Sequence, residues 1–190
     1  MLPALALSAT PQSGSPKPNT FLMSRGTLTR PQLTGYLLRH NPKLRPSFAR
    51  FIATLYIQES AREGVNHDVA FAQMILETAF LKYGGQVHPS QNNFCGLGAL
   101  DDGRAGASFA TPREGVRAHI QHLKAYGSTL PLRQENVDPR FHLVRRGSVM
   151  TIEGLTGRWA TDPNYGPKIL RIIQNIHNHE VLAVKSAPEP

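Results

Sequence analysis

The feature that most constrains the fold is a series of apolar stripes at helical spacing, each stopped by glycine or proline. In "PSFARFIATLYIQESAREG" the residues Phe48, Phe51, Ile52, Leu55 and Tyr56 recur about one turn apart, and Gly64 ends the run. The stretch "FAQMILETAFLKYGG" repeats Phe71, Met74, Ile75 and Leu81 before a Gly84-Gly85 stop, with Asn66 placed to cap its start. "TPREGVRAHIQHLKAYG" opens on Thr111, Pro112 and Glu114, a capping box with proline at the first helical position, and closes on Gly127. Ile169, Ile172, Ile173 and Ile176 mark a last helix starting near Pro167, with Tyr165 just before it, and a short helix is expected between Pro31 and Pro42. Residues 88–110 carry glycines and asparagines without a sustained period, as a loop or short hairpin does. Strand signals are few and there is no internal repeat, so the expected fold is mainly α.

At 190 residues the chain has the length of one domain with a real core. Residues 1–25 read as a flexible tether rich in Pro, Ser, Gly and Asn, 26–184 as the folded part and 185–190 as a tail. The opening "MLPALALSA" resembles the end of a secretory signal but lacks the basic n-region. No apolar run is long enough to span a bilayer, so no membrane insertion is expected. The excess of 21 Lys+Arg over 13 Asp+Glu gives a net charge of +8, which suits nucleic acid, an anionic membrane surface or an acidic wall polymer. The arginines are scattered and no helix-turn-helix or finger motif accompanies them, which argues against nucleic acid.

Cys95 is the only cysteine, so there is no intramolecular disulfide and no cysteine-based zinc cluster; it reads as packing. His119 and His122 sit three apart, and His177 and His179 close the last helix in "HNHE", but metal-binding helices usually add a carboxylate ligand at defined spacing, and histidines on a basic helical face are more often solvated. The solvated reading is the better one. No metal and no cofactor are expected.

Glu77 is the helical carboxylate that stands out. Its neighbours one turn away are Gln73, Met74, Phe80 and Leu81, so no cation pairs with it along the helix. Either it faces water, as most helical glutamates do, or it is partly buried and desolvation raises its pKa into the range of a proton donor. By contrast Glu59 has Arg62 to pair with, and Glu63 sits at a helix end beside Gly64, which suggests salt-bridge and surface roles.

Taken in order, "AQMILETAF", "QNNFCGLGA", "FATPREGVRAHIQHLKAY" and "GRWATDPNYGPKI" resemble the glucosaminidase domains of glycoside hydrolase family 73, bacterial cell-wall hydrolases with a lysozyme-like fold. The resemblance runs from about Gly26 to Val184. It implies a lysozyme-like single domain with a short loop or β-hairpin lobe beside the cleft. It also implies that Glu77 is the general acid, that Asn92, Asn93, Phe94 and Gly96 form the turn shaping the cleft floor, that Tyr165 lines the site opposite Glu77, and that Trp159 lies on the wall. Gln73 and the turn residues are thereby candidate substrate contacts.

The implied substrate is the peptidoglycan glycan strand, cut at the N-acetylglucosaminyl-β-1,4-N-acetylmuramic acid bond by a monomer that is periplasmic or secreted. Many family members carry a second glutamate after the asparagine-phenylalanine turn, whereas between Gly98 and Thr111 this chain offers only Asp101 and Asp102. Inverting hydrolysis with such a base and a substrate-assisted route both remain open on sequence, as do a noncatalytic wall-binding module and a lytic transglycosylase on the same fold.

Overall fold

The computed structural model describes residues 18–85, 87–99 and 106–185. Five helices carry the fold among them: α1 (Arg30–His40), α2 (Pro46–Glu63), α3 (His67–Glu77), α4 (Pro112–Gly127) and α5 (Tyr165–Lys185). Their boundaries follow local chemistry. At α1 the Thr29 hydroxyl and the Gln32 side chain cap each other's backbone N–H groups. The Asn66 side chain accepts from Asp68 N at 3.0 Å to start α3, and Gly64 closes α2 in a left-handed conformation at φ +78°. Thr111 caps α4 by accepting from Glu114 N, while the Glu114 carboxylate returns to Ala110 N, one residue ahead of the expected capping-box partner.

The α3 helix is the centre of the molecule. Every residue from Asp68 to Ile75 is buried, because α2, α4 and α5 all pack against it. Ile52, Leu55 and Tyr56 from α2, Val116, Ile120 and Leu123 from α4, and Ile169, Ile173 and Ile176 from α5 close the core around it. Each such side chain contributes roughly 1.5–3 kcal/mol on burial. Only the C-terminal end of α3 emerges, and it carries Glu77.

Several expectations need correction. The helix holding Glu77 ends at that residue rather than at Gly84, so Phe80 and Leu81 are not its helical neighbours. The folded part begins before residue 26: Leu22 is fully buried, Leu22 N donates to Met150 O, and Asn66 N donates to Leu22 O. Gly26 lies so close to α3 that a β-carbon would stand 2.6 Å from Asp68 Oδ1, and that carboxylate collects the backbone N–H groups of Thr27 and Leu28.

Glu63 is no surface residue. It is buried against the buried Lys124 at 2.7 Å and also accepts from Arg133 N and Gln134 N. Glu59 is buried as well and gathers Arg62, Arg113 and Arg117. Such charges tolerate burial because they are paired and hydrogen-bonded together.

The structure is mainly α, as expected. Its β pairing, among the described residues, is two isolated bridges, Phe21 with Thr151 and Thr156 with Ala160. The described parts of the segment 88–110 are irregular apart from a 3-10 turn at Pro89–Gln91. No helix among the described residues is long and apolar enough to cross a membrane.

Candidate active site

Glu77 stands at the end of α3 in a cleft of about 440 Å³ walled by Leu76, Ala79, Tyr83, Val87 and Gly96. A cavity of about 570 Å³ lies elsewhere, between residues 24–29 and the end of α2, but it contains no carboxylate. Chemistry rather than volume therefore selects the Glu77 cleft.

One wall is a left-handed turn. Ala79, Phe80, Leu81 and Tyr83 all have positive φ, between 47° and 63°, which costs a non-glycine residue about 1–2 kcal/mol each. The turn is held by tertiary and side-chain bonds. The Thr78 hydroxyl donates to Met74 O at 2.7 Å and accepts from Leu81 N at 2.9 Å, Asn41 Nδ2 donates to Phe80 O, and the His40 ring stacks on Phe80. It reverses the chain directly after Glu77 and brings Tyr83 to the cleft.

The floor is the turn "QNNFCGLG". Asn93 is fully buried: its Nδ2 donates to Leu97 O and Ala107 O, and its Oδ1 accepts from Leu97 N. Asn92, at φ +51°, donates to Phe109 O, and Phe94 packs into the main core. Gly96 takes φ +67° and lies against the carboxyl group, where a β-carbon would come 3.7 Å from Glu77 Oε2. Cys95 is buried, and burial together with the nearby Glu77 pushes its thiol well up, which leaves it a packing residue.

A chain of buried hydrogen bonds approaches Glu77 from the other side. The Tyr165 hydroxyl donates to Glu77 Oε1. Tyr165 in turn accepts from Gln73 Nε2 at 2.7 Å, Gln73 Oε1 meets His119 Nε2 at 3.0 Å, and His119 Nδ1 meets the Tyr56 hydroxyl at 2.9 Å. Gln73, His119 and Tyr56 have no exposed surface. Desolvation by burial, with His122 as a second cause, lowers the His119 pKa to about 3, so the ring is neutral. Because Gln73 Oε1 only accepts, His119 carries its proton on Nε2 and receives the Tyr56 O–H at Nδ1.

The Glu77 side chain is exposed to the cleft, yet its carboxyl end is enclosed by these groups. Desolvation raises its pKa, and hydrogen bonds from Tyr165 and from the Trp159 indole oppose the rise. The position at a helix C-terminus, where the dipole is negative and no basic residue follows in the last turn, also disfavours the anion. Tyr165 is pushed well above an ordinary phenol by burial and by Glu77, so it stays a donor.

The structure thus brings Glu77, Tyr165 and Trp159 together and places Gln73, Asn93 and Phe94 behind them. These last three present no surface to a substrate; they build the site instead of lining it, a correction to the expected contacts. Asn92 is half-buried, with its amide nitrogen engaged. Asp101 and Asp102 lie outside the described residues. His119 is not solvated but buried with both ring nitrogens engaged, and His122 is buried against Asp138 at 2.7 Å. No group of metal-ligating side chains occurs among the described residues. Sequence reasoning passes over His119 and Tyr56 as site residues, although His119 sits between Val116 and Leu123 on the apolar face of α4.

Residues 53–178 match the glucosaminidase family model, described as mannosyl-glycoprotein endo-β-N-acetylglucosaminidase. An uncharacterized protein of Borreliella burgdorferi is 48% identical over 153 residues, covering 80% of this chain and 75% of that protein. The crystal structure of S. aureus autolysin E in complex with the muropeptide NAM-L-Ala-D-iGlu shares the fold with a TM-score of 0.54. It is 11% identical, and the match covers 87% of this chain and 73% of that one.

Proposed function

The chain belongs to the glucosaminidase family, and from that premise we propose that it hydrolyses peptidoglycan at the N-acetylglucosaminyl-β-1,4-N-acetylmuramic acid bond, with Glu77 as general acid. One observation carries this reading: a carboxyl group of raised pKa stands in a cleft with one oxygen already bonded to a tyrosine. The autolysin E neighbour, solved with a muropeptide, and the net charge of +8 support a wall polymer as substrate.

The two oxygens of Glu77 divide the work. Oε1 accepts from Tyr165, and we place the acidic proton on Oε2, the oxygen on the Gly96 side. It passes from Oε2 to the glycosidic oxygen as the bond from that oxygen to the anomeric carbon breaks and its electron pair stays on the departing sugar. Water then bonds to the anomeric carbon and gives its proton to a base. We place that base at Asp101 or Asp102, which follow the Gly96–Gly98 turn in sequence. The site of action is the bacterial wall, reached by a periplasmic or secreted enzyme.

Glu77→Gln keeps the shape of the side chain and removes the proton. It is expected to abolish release of reducing N-acetylglucosamine ends from purified sacculi while the fold persists by circular dichroism; near-normal release in this variant overturns the assignment. Among the described residues lining the cleft Glu77 is the only carboxylate, which favours one second reading, lytic transglycosylase chemistry that needs an acid and no attacking water. The wild-type products decide, since that route leaves anhydro-muramyl ends. Sacculus binding without any release would point to a noncatalytic module.

A further inference from the structure

The hydrogen bonds behind Glu77 all run in one direction. Tyr56 O–H donates to His119 Nδ1, His119 Nε2–H to Gln73 Oε1, Gln73 Nε2–H to the Tyr165 oxygen, and Tyr165 O–H to Glu77 Oε1. They join α2, α4, α3 and α5, and each link fixes the next. With Gln73 Oε1 facing Nε2 and the Tyr56 hydroxyl able to donate to Nδ1, His119 takes the Nε2–H tautomer. That tautomer holds the Gln73 amide in one of its two orientations, because a flipped amide would set N–H against N–H. The amide so held fills the Tyr165 acceptor position and turns the phenolic hydrogen toward Glu77.

We propose that His119 is a positioning residue which, acting through Gln73 and Tyr165, determines that the catalytic proton of Glu77 sits on Oε2. The proposal rests on Glu77 being the general acid. Nothing in the packing alone asks for a histidine here. The site is fully buried, its ring lies edge-on to Tyr56 at 5.7 Å and beside Trp159 at 5.6 Å, and an apolar side chain of like size would fill it. A polar ring in that place is explained by its two bonds, both of which belong to the chain ending at Glu77.

The titratable groups around this chain come from every element packed on it. Tyr165 of α5 and Cys95 of the floor turn face Glu77, and Tyr83 of the left-handed turn shares the cleft. Tyr56 of α2 and His122 of the same helix face His119, with Asp138 behind His122. None of these is altered by the variants that test His119 directly.

The test compares His119→Met, which keeps bulk and loses both bonds, with His119→Gln, whose amide nitrogen reaches the position of Nε2 and still donates to Gln73. Rates of reducing-end release from soluble peptidoglycan fragments are followed against pH for the full chain. In His119→Met, kcat is expected to fall by up to about 10-fold, no more than the loss of the Tyr165 hydroxyl itself, with KM unchanged, since the proton is less firmly confined to the productive oxygen while no substrate contact is lost. The alkaline limb of the profile should move to higher pH, because a slackened Tyr165 bond no longer favours the Glu77 anion.

His119→Gln should keep both the rate and the limb of the wild type. Tyr56→Phe, which removes one hydroxyl and frees the tautomer, should move the limb the same way by less, and it decides the matter if His119→Met does not fold. A limb and kcat at wild-type values in Tyr56→Phe and in folded His119→Met overturn the proposal. Glu77→Gln in the same assay separates the two levels: activity there would remove the general acid itself, whereas its inactivity together with a slowed His119→Met and a shifted limb supports both.

Discussion

At Glu77 two opposing influences act on one carboxyl group. Desolvation favours the neutral acid, and the Tyr165 and Trp159 donors favour the anion. Tyr165→Phe removes one of the donors. Glu77 should then hold its proton to higher pH, so the alkaline limb of turnover moves up, while the rate falls roughly 10-fold as the proton loses its assignment to Oε2. Asp101→Asn or Asp102→Asn, one of them and not both alike, should instead cost about 10²-fold, the scale of a lost base, and leave that limb in place. If both aspartate variants kept full rate while Tyr165→Phe was crippled, the aspartate base would be wrong. A route in which Tyr165 holds the substrate's own acetamido group would replace it. Glu77 is legible in the sequence because its helix denies it a cation and the ordered motifs point to it. The bonds to Tyr165 and Gln73 are not, since they join residues 88 and 92 positions apart.

Elements are legible where their signals are local. Pro31, the caps at Asn66 and Thr111 and the stop at Gly64 mark three helix starts and one end close to those observed, because each depends on chemistry within a few residues. The end of α3 escapes the sequence for the opposite reason. Its apolar spacing continues to Leu81, but four residues past Glu77 take left-handed conformations that distant groups such as Asn41 and His40 help to stabilise. Thr78 is the local part of that device, with its hydroxyl bonded at both ends and 2% exposed. Thr78→Val keeps the shape and leaves Leu81 N buried without its partner, at a cost of about 1–3 kcal/mol. For a chain of this size a loss of that scale lowers Tm by roughly 2–4 °C per kcal/mol. Turnover should fall as well, because the turn sets the Tyr83 side of the cleft. An unchanged Tm in this variant would show that the tertiary contacts hold the turn alone.

Across the whole molecule the same buried polar groups that build the site set how the fold meets acid. His119 titrates near 6.5 when unfolded and at about 3 when folded. Above pH 6.5 both states are neutral and its environment contributes full stability. As pH falls below 6.5 the unfolded chain binds a proton that the native ring refuses, so stability drops steadily until about pH 3. Glu59 adds a second, lower window. Burial opposes its ionisation, but hydrogen bonds from Arg113, Arg117 and Gln134 and the charge of Arg117 outweigh burial and bring its pKa below the usual carboxylate value of 4.5; its contribution is present above that value and is lost as pH falls through the folded one. The two windows separate the residues. Between pH 6.5 and 4.5 the histidine alone of this pair acts, and at about 1.4 kcal/mol per pH unit it accounts for a loss of roughly 2–3 kcal/mol, a large share of a typical folding free energy. Urea unfolding at pH 7, 5.5 and 4.5 should show that loss in the wild type. His119→Gln, which carries no titrating group there but keeps the bond to Gln73, should lose that drop and even gain slightly toward pH 4.5, because the raised Glu77 takes up its proton in the native state first, and it should fall only below that, where Glu59 loses its charge. An equal slope in both proteins would mean that the native ring takes its proton as readily as the unfolded chain does, and then the neutral tautomer that orients Gln73, Tyr165 and the Glu77 proton would be lost as pH falls through about 6.5 instead of persisting to about 3.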